Sequence, residues 1–268
     1  MTRSGGVRPG PTAAVVFVLG ALGLASCASL PRTSHGATAS RSGFLFERWH
    51  DGASDLPYAV YVPRGYDSSQ PLPLILFLHG SGESGRDGSK MIVQGLGSAI
   101  LWDAARWPAI VIFPQKPGED EEWEEHEAAL MGILARVRAT YSVDPRRIYL
   151  TGLSQGGHGT WVLGARHADV WAALVPVCGY AGTRRHGPRA FDGTAADLAP
   201  ALKSMRIWAF HGEVDDVVTP QETRDLVAAV QAAGGTPKMS ILPGVNHGAW
   251  DPAYRDPALA AWLFAQHR

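Results

Sequence analysis

The chain has 268 residues, of which 46% are hydrophobic, so it is long enough to bury a substantial core in one domain of enzyme size. Its formal net charge is −1, with 24 basic and 25 acidic residues interspersed along the chain. No basic face is available to collect nucleic-acid phosphates, so the composition argues against a nucleic-acid partner.

The amino terminus has the pattern of an export signal. Arg3 and Arg8 precede the apolar run "TAAVVFVLGALGLASC", which is too short to span a bilayer comfortably. Its last four residues, Leu24 to Cys27, resemble the lipobox of bacterial lipoproteins, in which cleavage exposes an acylated cysteine. The resemblance implies a signal peptide over residues 1–26 and an exported, lipid-anchored protein of the bacterial cell envelope, at the outer membrane or cell surface. The alternative is a plain secretory signal with a coincidental cysteine.

A flexible tether is predicted over residues 27–43, because this stretch is small, polar and without periodicity. The folded domain is then expected over residues 44–268. Its one cysteine is Cys178, so with Cys27 acylated no intramolecular disulfide can form.

Short apolar segments alternate with helical patterns along the domain. Predicted strands are Tyr58–Val62, Leu72–His79, Ala109–Phe113, Arg147–Leu150, Ala172–Val177, Arg206–Phe210 and Lys238–Leu242, and predicted helices are Glu125–Tyr141, Gln155–His167, Gln221–Ala233 and Pro257–His267. This alternation predicts an α/β fold with a mostly parallel central sheet flanked by helices. The acidic run "GEDEEWEEHE", residues 118–127, is expected to be the solvated start of a helix.

A serine with little bulk around it follows the predicted strand Arg147–Leu150. The sequence "GLSQG" places Ser154 in a GxSxG pattern that a helical segment follows, which is typical of a nucleophile elbow. In this turn the glycines leave room for the neighbouring strand and helix. The backbone N–H of Gln155 would then point outward at a helix N-terminus and supply half of an oxyanion hole.

A nucleophilic serine needs a base and an orienting carboxylate, which follow it in the order acid, then histidine, in this fold type. His247 follows the predicted strand Lys238–Leu242 and is the favoured base. His211, directly at a strand end, is the competing base. Asp215 and Asp216 are both available as the acid, and spacing from the strand does not by itself choose between them.

A second oxyanion donor is expected from the loop "FLHGSGESGRDG" after the predicted strand Leu72–His79. Its glycines free the backbone to turn N–H groups toward a substrate oxygen, and the N–H of Ser81 is the candidate.

Five segments in order resemble a known group of enzymes: "PLPLILFLHGSGESG", "RIYLTGLSQGGHGTW", "ALVPVCGY", "WAFHGEVDDVV" and "NHGAW". The chain from Val60 to His267 is similar to the small α/β-hydrolase esterases labelled predicted peptidases or prolyl-oligopeptidase-like, relatives of phospholipase/carboxylesterases and feruloyl-type esterases. The resemblance implies an α/β-hydrolase fold with a minimal cap or none. It also implies Asp215 as the acid, and Ser81 and Gln155 as the oxyanion donors.

The same resemblance leaves some residues open. Family members usually read "GERG" where this chain has Glu83 to Arg86, one residue longer, so an ion pair between Glu83 and Arg86 is one interpretation. Trp123 lies in a loop where such esterases place aromatic residues over the substrate, and is a possible substrate contact or a packed residue. Cys178 is expected to be packed near the pocket, and Trp250 to pack behind His247.

The sequence therefore predicts a serine esterase that acts through an acyl-enzyme on a small-molecule or glycan ester. It predicts no cofactor and no metal, because metal-binding and phosphate-binding motifs are absent from the sequence. The alternatives are a serine peptidase of prolyl-oligopeptidase type and a catalytically dead, lipid-anchored binding protein. Residues 179–200 are long enough for a small lid, and the oligomeric state stays open.

Overall fold

The computed structural model of the protein describes residues 41–182, 187 and 189–268. The predicted signal peptide, Cys27 and the tether as far as residue 40 lie outside these residues. In the described part of the chain, no helix is both long and apolar enough to cross a bilayer.

Eight strands form one sheet in the described residues, in the order β1-β2-β4-β3-β5-β6-β7-β8. Their bounds are Gly43–His50 (β1), Asp55–Val62 (β2), Leu72–Leu78 (β3), Ile110–Pro114 (β4), Val143–Leu153 (β5), Ala173–Val177 (β6), Trp208–Gly212 (β7) and Lys238–Leu242 (β8). Strand β2 pairs antiparallel with β1 and β4, whereas every pair from β4 to β8 is parallel. The sheet is therefore mostly parallel, as predicted.

Seven α-helices of the described residues cover the two faces of the sheet. They are Leu96–Trp102 (α1), Glu127–Thr140 (α2), Gln155–Arg166 (α3), Ala195–Leu202 (α4), Pro220–Ala232 (α5), Trp250–Arg255 (α6) and Pro257–Phe264 (α7). Helices α2 to α5 contribute to one apolar cluster, and α1, α6 and α7 to the other. Strand β3 shows why both clusters need it: Leu76 points into the first, and its neighbour Phe77 into the second. Continuous apolar strands are thus buried on both faces.

All seven predicted strands and all four predicted helices are present, with shifted ends. Strand β1 was not predicted, and it begins at Gly43, the last residue of the predicted tether. Its burial explains the omission, because it is an edge strand with several exposed positions rather than a buried apolar run. The short helices α1, α4 and α6 were also not predicted.

The segment predicted as a lid, residues 179–200, includes the first part of a core helix. Helix α4 begins at Ala195, and its side chains Leu198, Ala199 and Leu202 are buried in the core cluster of α3 and α5. The carboxyl-terminal part of the segment therefore belongs to the core, since an apolar helix face gains more by burial than by covering a solvent-filled cleft. Residues 183–186 and 188 lie outside the described residues.

The expectation of a solvated acidic run is wrong for two of its carboxylates. Glu122 and Glu124 are completely buried within and beside the 3₁₀ helix Trp123–His126. Tyr180 donates its hydroxyl to Glu122, and the His158 ring nitrogen lies 3.0 Å from a Glu124 oxygen. Partners supplied by distant parts of the chain offset the desolvation of these charges. His158 is likewise buried.

Candidate active site

Ser154 occupies a sharp turn between β5 and α3. Its backbone has φ +54° and ψ −114°, a conformation that L-residues avoid and that costs about 1–3 kcal/mol. Two hydrogen bonds hold the turn: the Ser154 N–H donates to Val177 O at 2.8 Å, and the His158 N–H donates to Ser154 O at 3.0 Å. The hydroxyl is therefore presented at the carboxyl end of the sheet by a strained but well-anchored backbone.

The two flanking glycines make this turn possible because neighbouring backbone approaches them closely. A β-carbon on Gly156 would lie 2.0 Å from the carbonyl oxygen of Leu78, the last residue of β3. A β-carbon on Gly152 would lie 2.4 Å from the carbonyl oxygen of Gly156. The space requirement inferred from the GxSxG pattern is thus present on both sides of Ser154.

The structure brings Ser154, His247 and Asp215 into one hydrogen-bonded row. The His247 Nε2 lies 2.9 Å from the Ser154 hydroxyl, and its Nδ1 lies 2.7 Å from an Asp215 carboxylate oxygen. A carboxylate only accepts hydrogen bonds, so Nδ1 carries the proton and Nε2 is left to accept from the serine hydroxyl. Asp215 has no exposed side-chain surface, whereas 17% of the His247 side chain is exposed. The row thus runs from a buried acid to an accessible nucleophile.

The choice between the two neighbouring aspartates is decided by this geometry. Asp216 is exposed, whereas the Asp215 Oδ1 accepts hydrogen bonds from the Val217 and Val218 N–H groups, at 3.0 and 2.9 Å. Burial raises the pKa of Asp215, but hydrogen bonds from His211, His247 and the two amides outweigh burial and hold it well below 3.8. Asp215 is therefore ionised at neutral pH.

His211, the competing base, lies behind the acid instead of beside the serine. Its Nε2 lies 3.1 Å from an Asp215 oxygen and 2.9 Å from Val218 O. Both partners are acceptors, so Nε2 carries the proton, and the Thr223 hydroxyl, 2.8 Å away, donates to Nδ1. His211 is completely buried and orients Asp215 and its loop.

Cys178 and Trp250 pack around His247, as expected. The Cys178 thiol donates to the His247 carbonyl oxygen at 3.4 Å, and burial raises the pKa of this thiol to about 12. A thiol that stays protonated is a poor nucleophile. The Trp250 ring contacts the His247 ring edge-on, with 5.3 Å between ring centroids.

The two candidate oxyanion donors flank the serine. Gly80 lies against it, because a β-carbon on Gly80 would be 3.6 Å from the Ser154 β-carbon. Ser81, the next residue, begins the 3₁₀ helix Ser81–Glu83. Gln155 is the first residue of α3, and its side-chain amide donates to the carbonyl oxygens of Glu119 and Glu121. Both backbone N–H groups are thus at the end of the sheet where Ser154 lies.

Two interpretations from the sequence are corrected here. The Trp123 side chain is completely buried, and its indole N–H donates to His79 O at 2.9 Å, so it is a core residue and not a substrate contact. Glu83 and Arg86 do not pair with each other. Arg86 reaches the carbonyl oxygen of Asp55, whereas Glu83 turns inward to Gly80 and Gln94.

Two groups of side chains in the described residues have the donor types of a metal site: Cys178 with Asp215 and His247, and Glu122 with Glu124 and His158. In the first group, Asp215 and His247 already bond to each other. In the second group, Glu124 and His158 do so. Sequence spacing gave no signal for this second group, because its members come from segments 34 positions apart.

Comparison with known proteins gives one family match and several similar proteins. Residues 193–265 match the prolyl oligopeptidase family. Poly(3-hydroxyalkanoate) depolymerase C of Paucimonas lemoignei is 26% identical over 140 residues, which cover 44% of this chain and 30% of that protein. A solved thermostable esterase is 29% identical with a TM-score of 0.71, over 84% of this chain and 63% of that one.

A feruloyl esterase from Anaeromyces mucronatus, solved with ferulic acid, is 15% identical with a TM-score of 0.62, over 81% of this chain and 91% of that one. At this identity the likeness concerns the fold alone. The chain spans less than a third of the curated depolymerase and under two thirds of the thermostable esterase. Sheet order, elbow and structural neighbours together show an α/β-hydrolase fold similar to that of esterases.

Proposed function

We propose that this protein is a serine hydrolase that cleaves carboxylic esters through an acyl-enzyme. The observation that carries the proposal is the row from Ser154 through His247 to Asp215, with contacts of 2.9 and 2.7 Å, at a strained strand-to-helix turn. A depolymerase and an esterase among the similar proteins support ester chemistry.

In the proposed mechanism His247 accepts the Ser154 proton as the serine oxygen attacks the ester carbonyl carbon. Asp215 holds the imidazole in the required tautomer and stabilises the imidazolium that forms. The backbone N–H groups of Ser81 and Gln155 donate to the oxyanion of the tetrahedral intermediate. His247 then protonates the leaving alcohol. In the second half of the reaction His247 takes a proton from a water molecule that attacks the acyl carbon, and it returns this proton to the Ser154 oxygen as the bond from serine to the acyl group breaks and the acid is released.

The deciding experiment compares the wild-type protein with Ser154→Ala on p-nitrophenyl acetate. We expect kcat to fall by about 10⁶, because the covalent route is lost. A fluorophosphonate probe should label the wild-type protein once and leave the variant unlabelled, which also separates an enzyme from a dead binding protein. Activity above a few per cent in the folded variant would reject the assignment.

A peptidase is the second candidate, because residues 193–265 match the prolyl oligopeptidase family. That region contains Asp215 and His247, which an esterase would use equally, so the match does not distinguish the two reactions. Parallel assays on p-nitrophenyl acetate and on a prolyl p-nitroanilide peptide decide between them. A kcat/KM higher on the anilide would favour the peptidase.

We propose two classes of ester as substrates. The depolymerase supports an ester of a hydroxy acid polymer, and the sequence resemblance to feruloyl-type esterases supports an ester of a glycan side chain. Screening acyl-chain length and then acetylated and feruloylated glycans identifies the preferred class.

We also propose that the mature chain is held at the cell envelope by lipid on Cys27. The support is the sequence from Leu24 to Cys27, followed by Ala28 instead of an aspartate, which favours the outer membrane in bacteria with two membranes. Cys27→Ser should move the protein out of the detergent-soluble membrane fraction. If the variant stays there, the anchor is not this cysteine.

A further inference from the structure

The loop after β3 carries a buried carboxylate that the proposed mechanism does not use. Glu83 is 6% exposed and lies at the end of the 3₁₀ helix Ser81–Glu83. Its Oε2 accepts from the Gly80 N–H at 3.0 Å, and its Oε1 accepts from the Gln94 side-chain amide at 2.8 Å. Both oxygens are therefore engaged with the protein.

The Gly80 N–H held by Glu83 belongs to the His79–Gly80 peptide, and the next peptide, Gly80–Ser81, is fixed through its carbonyl oxygen. The His79 Nε2 accepts from the Lys116 N–H at 3.2 Å, so the His79 proton is on Nδ1, which donates to Gly80 O. Burial lowers the pKa of His79 to about 3, so the ring stays neutral and keeps this tautomer. In a trans peptide the C=O and the N–H point in opposite directions. With Gly80 O held by His79, the Ser81 N–H must point away from His79.

Glu83 fixes the other side of the same residue. Because the Gly80 N–H is bound to Glu83 and the Gly80 carbonyl to His79, rotation of either peptide plane at Gly80 would break a buried hydrogen bond. Gly80 is closely surrounded, because a β-carbon on it would lie 2.8 Å from the Leu153 side chain and 3.6 Å from the Ser154 β-carbon. The Gln115 amide further holds the Glu83 backbone, donating to Glu83 O at 2.9 Å.

Burying the Glu83 carboxylate carries a desolvation cost. Burial is the main influence on Glu83 and raises its pKa, and hydrogen bonds from the Gly80 N–H and the Gln94 amide hold its carboxylate inside the loop. An apolar replacement would leave the Gly80 N–H unpaired beside the serine.

Resting on the proposed function, we propose that Glu83 is a positioning residue for the oxyanion hole: by holding the Gly80 N–H, its carboxylate keeps the Ser81 N–H aimed at the substrate oxyanion. Glu83 does not touch the reacting atoms, and it acts through the Gly80–Ser81 backbone. The effect should therefore appear in transition-state stabilisation and not in substrate binding.

The test uses the full-length protein with Glu83→Leu, Glu83→Asp and Glu83→Gln, assayed on p-nitrophenyl acetate and with a trifluoromethyl ketone, which forms a charged tetrahedral adduct. For Glu83→Leu we expect kcat to fall about 10- to 100-fold with KM within about twofold, and the ketone Ki to rise by the same factor as kcat/KM falls. Glu83→Asp, one methylene shorter, should show the same split with about a 10-fold loss. Glu83→Gln should lose less than about threefold, because its amide oxygen still accepts from Gly80.

Arg86→Ala is the matched control, since Arg86 is exposed and donates to the Asp55 carbonyl, and the kcat of this variant should stay within about twofold. If Glu83→Leu does not fold, Glu83→Asp decides. The inference is overturned if a folded Glu83→Asp keeps wild-type kcat, or if kcat falls while the ketone Ki does not change. Normal Glu83 variants with an inactive Ser154→Ala would reject this inference alone, whereas an active Ser154→Ala would reject the proposed function.

Discussion

At the scale of single residues, Asp215 and Asp216 show how position decides chemistry. Both are aspartates in the same turn, but only Asp215 is buried, accepts two backbone N–H groups and contacts His247. A residue that fixes the His247 tautomer cannot be replaced by an amide. The Val217 and Val218 N–H groups would hold the amide oxygen, and the NH₂ group would offer the ring a donor where it needs an acceptor.

We therefore expect Asp215→Asn to lower kcat about 10⁴-fold, while the protein stays folded. The measurement is steady-state kinetics on p-nitrophenyl acetate together with thermal unfolding. Asp216→Asn is the matched control and should keep kcat within about twofold, because its side chain is exposed. Equal losses in both variants would contradict the assignment of Asp215.

At the scale of elements, the junction of β3, β5 and α3 depends on Gly156. Adding a β-carbon there places it 2.0 Å from a backbone carbonyl, and backbone cannot move away as a flexible side chain would. Gly156→Ala should therefore lower the free energy of unfolding by about 3 kcal/mol or more, measured by urea denaturation.

The control for this prediction is Gly82→Ala. A β-carbon on Gly82 meets no atom within 4 Å, and its φ lies outside the left-handed region. Its effect on the free energy of unfolding should stay within about 0.5 kcal/mol. If Gly156→Ala is as stable as Gly82→Ala, the close packing of α3 on β3 is not as described.

A second element-scale feature is the buried pair that joins the 3₁₀ helix Trp123–His126 to α3. Glu124 and His158 are both completely buried, with 3.0 Å between the Glu124 Oε1 and the His158 Nε2. The Tyr180 ring stacks on the His158 ring, with 4.6 Å between the ring centroids. Removing one partner leaves the other charge unpaired. We expect His158→Gln to lower the free energy of unfolding by about 3–5 kcal/mol near pH 6, measured by urea denaturation.

The pair also predicts a pH dependence of stability. Burial lowers the pKa of His158, but Glu124 outweighs it and leaves the pKa above 6.5, and the same contact leaves the pKa of Glu124 below 4.5 despite burial. The histidine contribution is therefore complete below pH 6.5 and is lost as the pH rises through its folded pKa. The glutamate contribution is complete above pH 4.5 and is lost as the pH falls through its own.

Urea denaturation across pH 4 to 9 measures this dependence. The reference is the double variant Glu124→Gln/His158→Gln. The difference in free energy of unfolding between the wild-type protein and this variant should be largest between pH 4.5 and pH 6.5 and should decrease at lower and at higher pH. A constant difference between the two proteins across the range would show that the pair is not charged.

At the scale of the whole molecule, the residues of the proposed site lie in one compact unit, Ala39–Arg268. Both apolar clusters on the sheet also lie within it. A variant that begins at Ala39 should therefore fold and keep kcat/KM on p-nitrophenyl acetate within about twofold of the full-length protein, whatever happens to its location. Loss of folding in the truncated variant would show that residues before Ala39 contribute to the core.

The sequence by itself determined the fold class and the proposed nucleophile and base. Continuous apolar strands alternating with helical patterns specify a doubly covered parallel sheet, because these patterns are local and repeat along the chain. GxSxG identified Ser154 for the same reason, since the turn needs its glycines within two positions. The order of the segments along the chain predicted His247 as the base and an aspartate of the preceding segment as the acid. Within the sequence, only the family resemblance chose Asp215 over Asp216.

Only the tertiary structure decided which polar residues are buried and which partners they bond to. An acidic run looks solvated until segments far away in the chain supply Tyr180 and His158 to Glu122 and Glu124. The roles of Trp123 and Glu83 also depend on distant partners. Trp123 is a core residue that donates to His79 O, and Glu83 accepts from the Gly80 N–H and the Gln94 amide. Burial and hydrogen bonding between distant residues depend on the packing of the whole chain, and no local pattern of residue types records that packing.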